Sequence, residues 1–130
     1  MLPGVMPRVI RLILGLAIAG FGVVMICTPL EVAEVLHRPP TSQPAMINLR
    51  ASWGGTVLGL GGFIAWLPAL RPWARTVLGL LGWVMAGVGA ARAVGFIVDG
   101  GPDGRQWIWL VAEIAIAATC AVMLRGRRRA

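Results

Sequence analysis

"MINLRASWGGTVLGLGGFIAWL", residues 46–67, is the stretch on which the fold turns. It is long enough to cross a bilayer, which takes about 20 apolar residues, yet it carries a guanidinium at Arg50, close to its start. It reads as a membrane span that places a permanent charge a few residues inside its apolar run. The rest of the chain agrees. Of 130 residues, 58% are hydrophobic and 13% charged, and the mean hydropathy is +0.80, whereas charged residues make up about 25% of soluble domains. Three further apolar segments, at about 9–28, 75–98 and 106–124, flank the quoted stretch. Together the four use up the chain and leave no room for a separate soluble domain. The reading is one integral-membrane domain over 1–130, all-α, a transmembrane four-helix bundle whose second span is the quoted segment.

The net charge of +7 comes from twelve arginines and no lysine. These arginines flank the apolar runs and form no basic face interleaved with aromatics, so nucleic acid is excluded as a partner. They serve as orientation signals. The N-terminus, the 68–75 turn and the C-terminal tail carry two, two and four arginines, against one each, Arg38 and Arg105, in segments 29–45 and 99–105. By the positive-inside rule both termini are cytoplasmic, in the inner membrane of a bacterium. The first span contains Ala17-Ile18-Ala19, similar to a signal-peptidase site, but its apolar run continues past it and is read as an uncleaved span. Cys27 and Cys120 then fall near opposite faces of the bilayer, too far apart for a disulfide.

Between spans 1 and 2, Thr28-Pro29-Leu30-Glu31 has the spacing of a capping box and predicts a short amphipathic interfacial helix ended by Pro39-Pro40, with Glu34 and Arg38 as an i,i+4 pair. Glu34-x-x-His37 is one element of a carboxylate-bridged metal site, but such sites need it twice with two further carboxylates, so no metal is assigned. Asp99-Gly-Gly-Pro-Asp103-Gly begins like a calcium loop, yet Leu110 stands where the bidentate glutamate belongs, and it reads as a Gly/Pro turn. No cofactor is implied by any motif. Thr56-Val-Leu-Gly-Leu-Gly-Gly returns as Thr76-Val-Leu-Gly-Leu-Leu-Gly, in spans that run in opposite directions, which marks low complexity instead of a repeat.

Small residues at helical spacing, Asn48, Ser52, Gly55, Gly59 and Gly62 on the second span and Gly82, Ala86, Gly89 and Ala90 on the third, predict close helix–helix packing. Trp66, Trp73, Trp107 and Trp109 sit where an aromatic belt belongs, while Trp53 and Trp83 lie deeper and call for packing.

The charges inside the spans carry the functional reading. At 1.5 Å per residue Arg50 lies about 6 Å below the outer surface, and Arg92 and Glu113 about 10 Å. The third span has ten Ile, Leu, Val or Phe residues, each favourable by roughly 0.3–0.6 kcal/mol, against about 2.5–3.5 kcal/mol for a central arginine. It inserts with little margin, so Arg92 needs the headgroups or an anionic partner. Glu113 approaches from the fourth span at matching depth, on a face shared with Gln106, Trp109, Ala117 and Cys120. The expected pairing is Arg92 with Glu113 and Arg50 with Asp99 or a phosphate, although the partners are open to exchange. Asn48, Arg50, Ser52, Arg92, Asp99 and Glu113 thus form the candidate polar cluster.

Asn48-Leu-Arg50, Trp53 before Gly54-Gly55, Ala91-Arg92, Asp99-Gly100 and Glu113 resemble a family of small four-span bacterial membrane proteins known only as a domain of unknown function. The likeness covers most of the chain, implies a compact four-helix membrane protein and brings no activity; Trp53 stands where Tyr or Phe is expected. Three functions stay open. One is an outward-facing pocket, roofed by the 28–40 helix, that binds a lipid-like or anionic small molecule. Another is a structural or accessory subunit whose glycine faces pack on a larger membrane partner or a second copy. The third is a proton-transfer enzyme using Glu113 as base, weakened by the lack of any nucleophile–base pair.

Overall fold

The computed structural model describes residues 7–67 and 73–126, all of them helix or connecting turn, with no strand among the described residues. Helix α1 is Arg8–Cys27, α2 Pro29–Val35, α3 Gln43–Leu49, α4 Thr56–Trp66, α5 Trp73–Val98 and α6 Gly104–Gly126. Between α3 and α4, Arg50–Gly55 forms a π-helical segment, so the chain runs as helix without interruption from Gln43 to Trp66. Among the described residues three helices are long and apolar enough to cross a membrane: Arg8–Cys27, Arg75–Val98 and Gly104–Gly126.

Local chemistry sets the helix ends, and not always as the sequence predicts. Pro29 occupies the first turn of α2 as expected, but the Thr28 side chain caps nothing there. Its hydroxyl donates instead to the Val24 carbonyl at 2.7 Å, because Thr28 still belongs to the last turn of α1. The stop of α2 comes before Pro39-Pro40. His37 takes a left-handed φ of 52°, the Arg38 N–H donates to the Ala33 carbonyl and the His37 N–H to that of Glu34, both at 3.0 Å. This is the paired hydrogen-bond stop that usually employs glycine. It turns Arg38 off the helix, so the expected Glu34–Arg38 pair does not form. Ser42 starts α3, its Oγ accepting the Ala45 N–H at 3.2 Å.

Packing follows chain order: α1 lies on α4 and the π segment, these lie on α5, and α5 lies on α6. Glycine makes the first two contacts possible, because a Cβ on Gly61 would sit 2.7 Å from Ala19 Cα, and one on Gly55 or Gly59 would sit 2.6 Å from the Cα of Val88 or Val84. The central helix therefore uses two adjoining glycine faces, Gly54 and Gly61 toward α1, Gly55 and Gly59 toward α5. Without a hydrophobic force between helices in lipid, such close backbone approach supplies the attraction. Only the α5-facing stripe is visible as a periodic pattern; Asn48 and Ser52, assigned to it by spacing, are exposed. On α5, Gly82 meets Cys120 and Gly89 meets Glu113, whereas Ala90 is exposed. Trp53 is 46% exposed, so it packs against no core, while Trp83 stands 6.3 Å from Trp66, ring centroid to centroid. Both cysteines are free.

Helix α2 touches α1 and α3, and none of its residues lines the groove that holds Arg92 and Glu113. The 28–40 segment is thus not a roof. Arg71 and Arg127–Arg129, part of the orientation signal, lie outside the described residues.

Candidate functional site

Among the described residues four buried polar or charged side chains stand in the apolar interior: Arg50, Arg92, Gln106 and Glu113. The local chain explains each position. Arg50 opens the π segment, where the slip to i→i+5 bonding widens the helix by one residue, a feature found mostly at functional sites. Arg92 lies on the α5 face beside Ala91, which is fully buried. Gln106 is in the first turn of α6, where the Asp103 carboxylate caps the helix by accepting the Gln106 N–H at 2.9 Å. Gly100 and Gly101, at φ of 67° and 60°, make the reversal that brings α6 back along α5.

The arginines choose separate partners. Arg50 Nε and Nη2 donate to Asp99 Oδ2 and Oδ1 at 2.8 and 2.9 Å, a two-pronged pair of the strongest kind. Its Nη1 donates to the Ile26 carbonyl, which lies in the last turn of α1 and has no partner within the helix. One guanidinium therefore ties the C-terminal end of α1 to that of α5. There Asp99 alone would be disfavoured by the negative end of the helix dipole. Arg92 Nε donates to both oxygens of Glu113 at 3.1 and 3.0 Å, and its Nη2 to Oε1 at 2.7 Å. Arg92 Nη1 donates to Gln106 Oε1 and, at 3.4 Å, to Asn48 Oδ1, and Gln106 Nε2 passes the chain on to the Pro44 carbonyl at 3.3 Å. Arg92 is 3% exposed and Glu113 6%. These two ion pairs are the only ones among the described residues.

The six residues expected to form one cluster fall into two. A groove of about 310 Å³ is lined by Asn48, Ser52, Thr56, Val88, Arg92, Trp109 and Glu113, with one wall from the 43–66 run, one from α6 and the floor from α5. Arg50 and Asp99 do not line it. They clasp α1 to α5 behind the π segment, because Arg50 and Asn48 leave the helix on different faces. Ser52 lines the groove but bonds to none of the charged groups. Gln106 and Thr56 were not among the candidates. Gln106 was legible as a member of the Glu113 face, while Thr56 carried no signal beyond its i+8 spacing from Asn48.

Arg50 and Arg92 are each matched by one carboxylate, so the charge of these two pairs sums to zero. The helices and this paired charge define a class: a helical protein, with three helices fit to cross a membrane, that holds its polar groups inside the helix layer. Residues 6–124 match the family described as Domain of unknown function (DUF4345), and the chain belongs to that family. No curated protein and no solved structure matches the chain.

Proposed function

We propose that the chain is a four-span protein of the bacterial inner membrane, with the 43–66 run as its second span and both termini cytoplasmic, and that it binds a lipid-like molecule in the groove beside Arg92 and Glu113. The observation that carries this reading is a polar-walled groove of about 310 Å³ at a level where lipid supplies no hydrogen bonds. Asn48, Ser52 and Thr56, on one face at i, i+4 and i+8, offer three neutral hydrogen-bonding groups to a headgroup. Val88 and Trp109 offer apolar contact to the first carbons of the attached chain. Because Arg92 is already neutralised by Glu113, an uncharged or zwitterionic headgroup fits better than a free anion. Arg50 and Asp99 keep the frame.

The test is lipid extraction after purification in mild detergent, with mass analysis of the species that remain bound. Thr56→Phe, which fills the groove and spares both ion pairs, is expected to lose a lipid that the unaltered chain retains, and Arg92→Ala to lose it as well. The same bound lipids in all three proteins overturn the reading. The accessory-subunit alternative draws little from the glycines, since Gly55 and Gly59 are already packed on α5. For proton transfer, both Glu113 oxygens are taken up by Arg92.

A further inference from the structure

A second groove, of about 420 Å³, lies at the opposite end of α5 and α6. It is lined by Trp66 and Trp83, by the small residues of both helices, Ala86 and Ala117 among them, and at its end by Arg125. It is distinct from the first. Gly82 and Gly89 mark the line along which α5 meets α6; at 3.6 residues per turn, Gly79, Trp83 and Ala86 fall on one side of that line and Val88 and Arg92 on the other. The two grooves thus open on opposite sides of the helix layer.

We infer that this groove holds one acyl chain of an anionic phospholipid whose phosphate lies at Arg75 and Arg125. Charge and dimensions argue for this occupant. From Gly79 to Ala86, as from Ala117 to Leu124, is seven residues, about 10.5 Å of helix, and this fits within the roughly 15 Å that one leaflet contributes to the hydrocarbon core. The Gly82–Cys120 and Gly89–Glu113 contacts fix an antiparallel register. Continued toward the end of α6, that register sets Val77 level with Arg125, so Arg75 lies two residues, about 3 Å, beyond it along α5. Arg75 also continues the Gly79, Gly82, Ala86 face of α5. Two arginines from two helices therefore stand at the same end of the groove, and neither has an ion-pair partner among the described residues. The same end is where the arginine distribution puts the cytoplasm, the side on which anionic headgroups attract basic segments. This inference rests on that orientation and not on any ligand in the groove beside Arg92.

The experiment reconstitutes the full chain into nanodiscs of phosphatidylcholine doped with phosphatidylglycerol, then counts retained lipid by native mass spectrometry. One phosphatidylglycerol per chain is expected to remain, with phosphatidylcholine retained at least tenfold less. Arg125→Ala should weaken retention about fivefold, the equivalent of ~1 kcal/mol per arginine at the surface. Ala121→Phe, which fills the groove from an exposed position on α6, should abolish it. Thr56→Phe should leave it unchanged, and that separates this site from the other groove. Equal retention of both lipids, retention unaffected by Ala121→Phe, or a lipid-free dimer of chains covering the groove overturns the inference.

Discussion

Glu113→Gln keeps the shape of the side chain and removes its charge, leaving the Arg92 guanidinium, 3% exposed, with neutral acceptors only. Breaking a buried ion pair from one side costs about 3–5 kcal/mol, because the remaining charge is desolvated without compensation. The three donor contacts of 2.7–3.1 Å between Arg92 and Glu113 set the expected loss near the middle of that range, about 4 kcal/mol. Arg92→Leu strands the carboxylate instead and should cost a similar amount, offset in part because a charge costing about 2.5–3.5 kcal/mol to insert is gone. The double variant Arg92→Leu, Glu113→Gln removes both charges and leaves Gln106, Asn48 and the new amide short of a partner, so its loss should be about 1–3 kcal/mol, well below the sum of the two single losses. The assay is reversible unfolding in mixed micelles, analysed as a double-mutant cycle. A loss below about 1 kcal/mol for Glu113→Gln, together with additive effects in the double variant, refutes the reasoning and means that water reaches the pair.

The geometry fixes further outcomes. Gly55→Ala drives a Cβ to 2.6 Å from Val88 Cα and should destabilise by about 1–3 kcal/mol, while Gly20→Ala, which meets nothing within 4 Å, should stabilise by roughly 0.5–1 kcal/mol through helix propensity; the same unfolding assay measures both. Asp103→Ala deletes the cap of α6 and should cost about 1 kcal/mol, read as faster amide exchange in its first turn. His37→Gly, at a left-handed φ of 52°, should gain up to about 1 kcal/mol in the unfolding assay.

Apolar length made α1, α5 and α6 legible, since their boundaries differ from the sequence expectation by only one or two residues at most ends. Depth along the helices also marked Arg50, Arg92, Asp99 and Glu113 as neighbours in level. Direction around the helices was harder to read. A π segment changes hydrogen-bond register without changing composition, so counting by 3.6 through Arg50–Gly55 misassigned Asn48 and Ser52 to the packing stripe; the two polar clusters merged because depth places residues at one level without saying on which side of a helix they leave. The glycines facing α1 were hidden for a related reason: Gly54 and Gly55 are consecutive, and a periodicity search follows one face at a time. Thr28 failed as a cap because the spacing of a capping box does not reveal that its hydroxyl is already committed to Val24.

The two ion pairs also differ in when their halves are made. Arg92 and Glu113 are 21 residues apart on consecutive helices, so in the proposed membrane arrangement a hairpin of α5 and α6 would enter the bilayer with its charge already cancelled. Asp99 comes 49 residues after Arg50, which at about 5–20 residues per second leaves Arg50 unmatched for roughly 2–10 s of synthesis. For a chain inserted as it is made, the helix carrying Arg50 cannot settle among lipids until α5 arrives, and the order of assembly is written into the distance between one arginine and its aspartate.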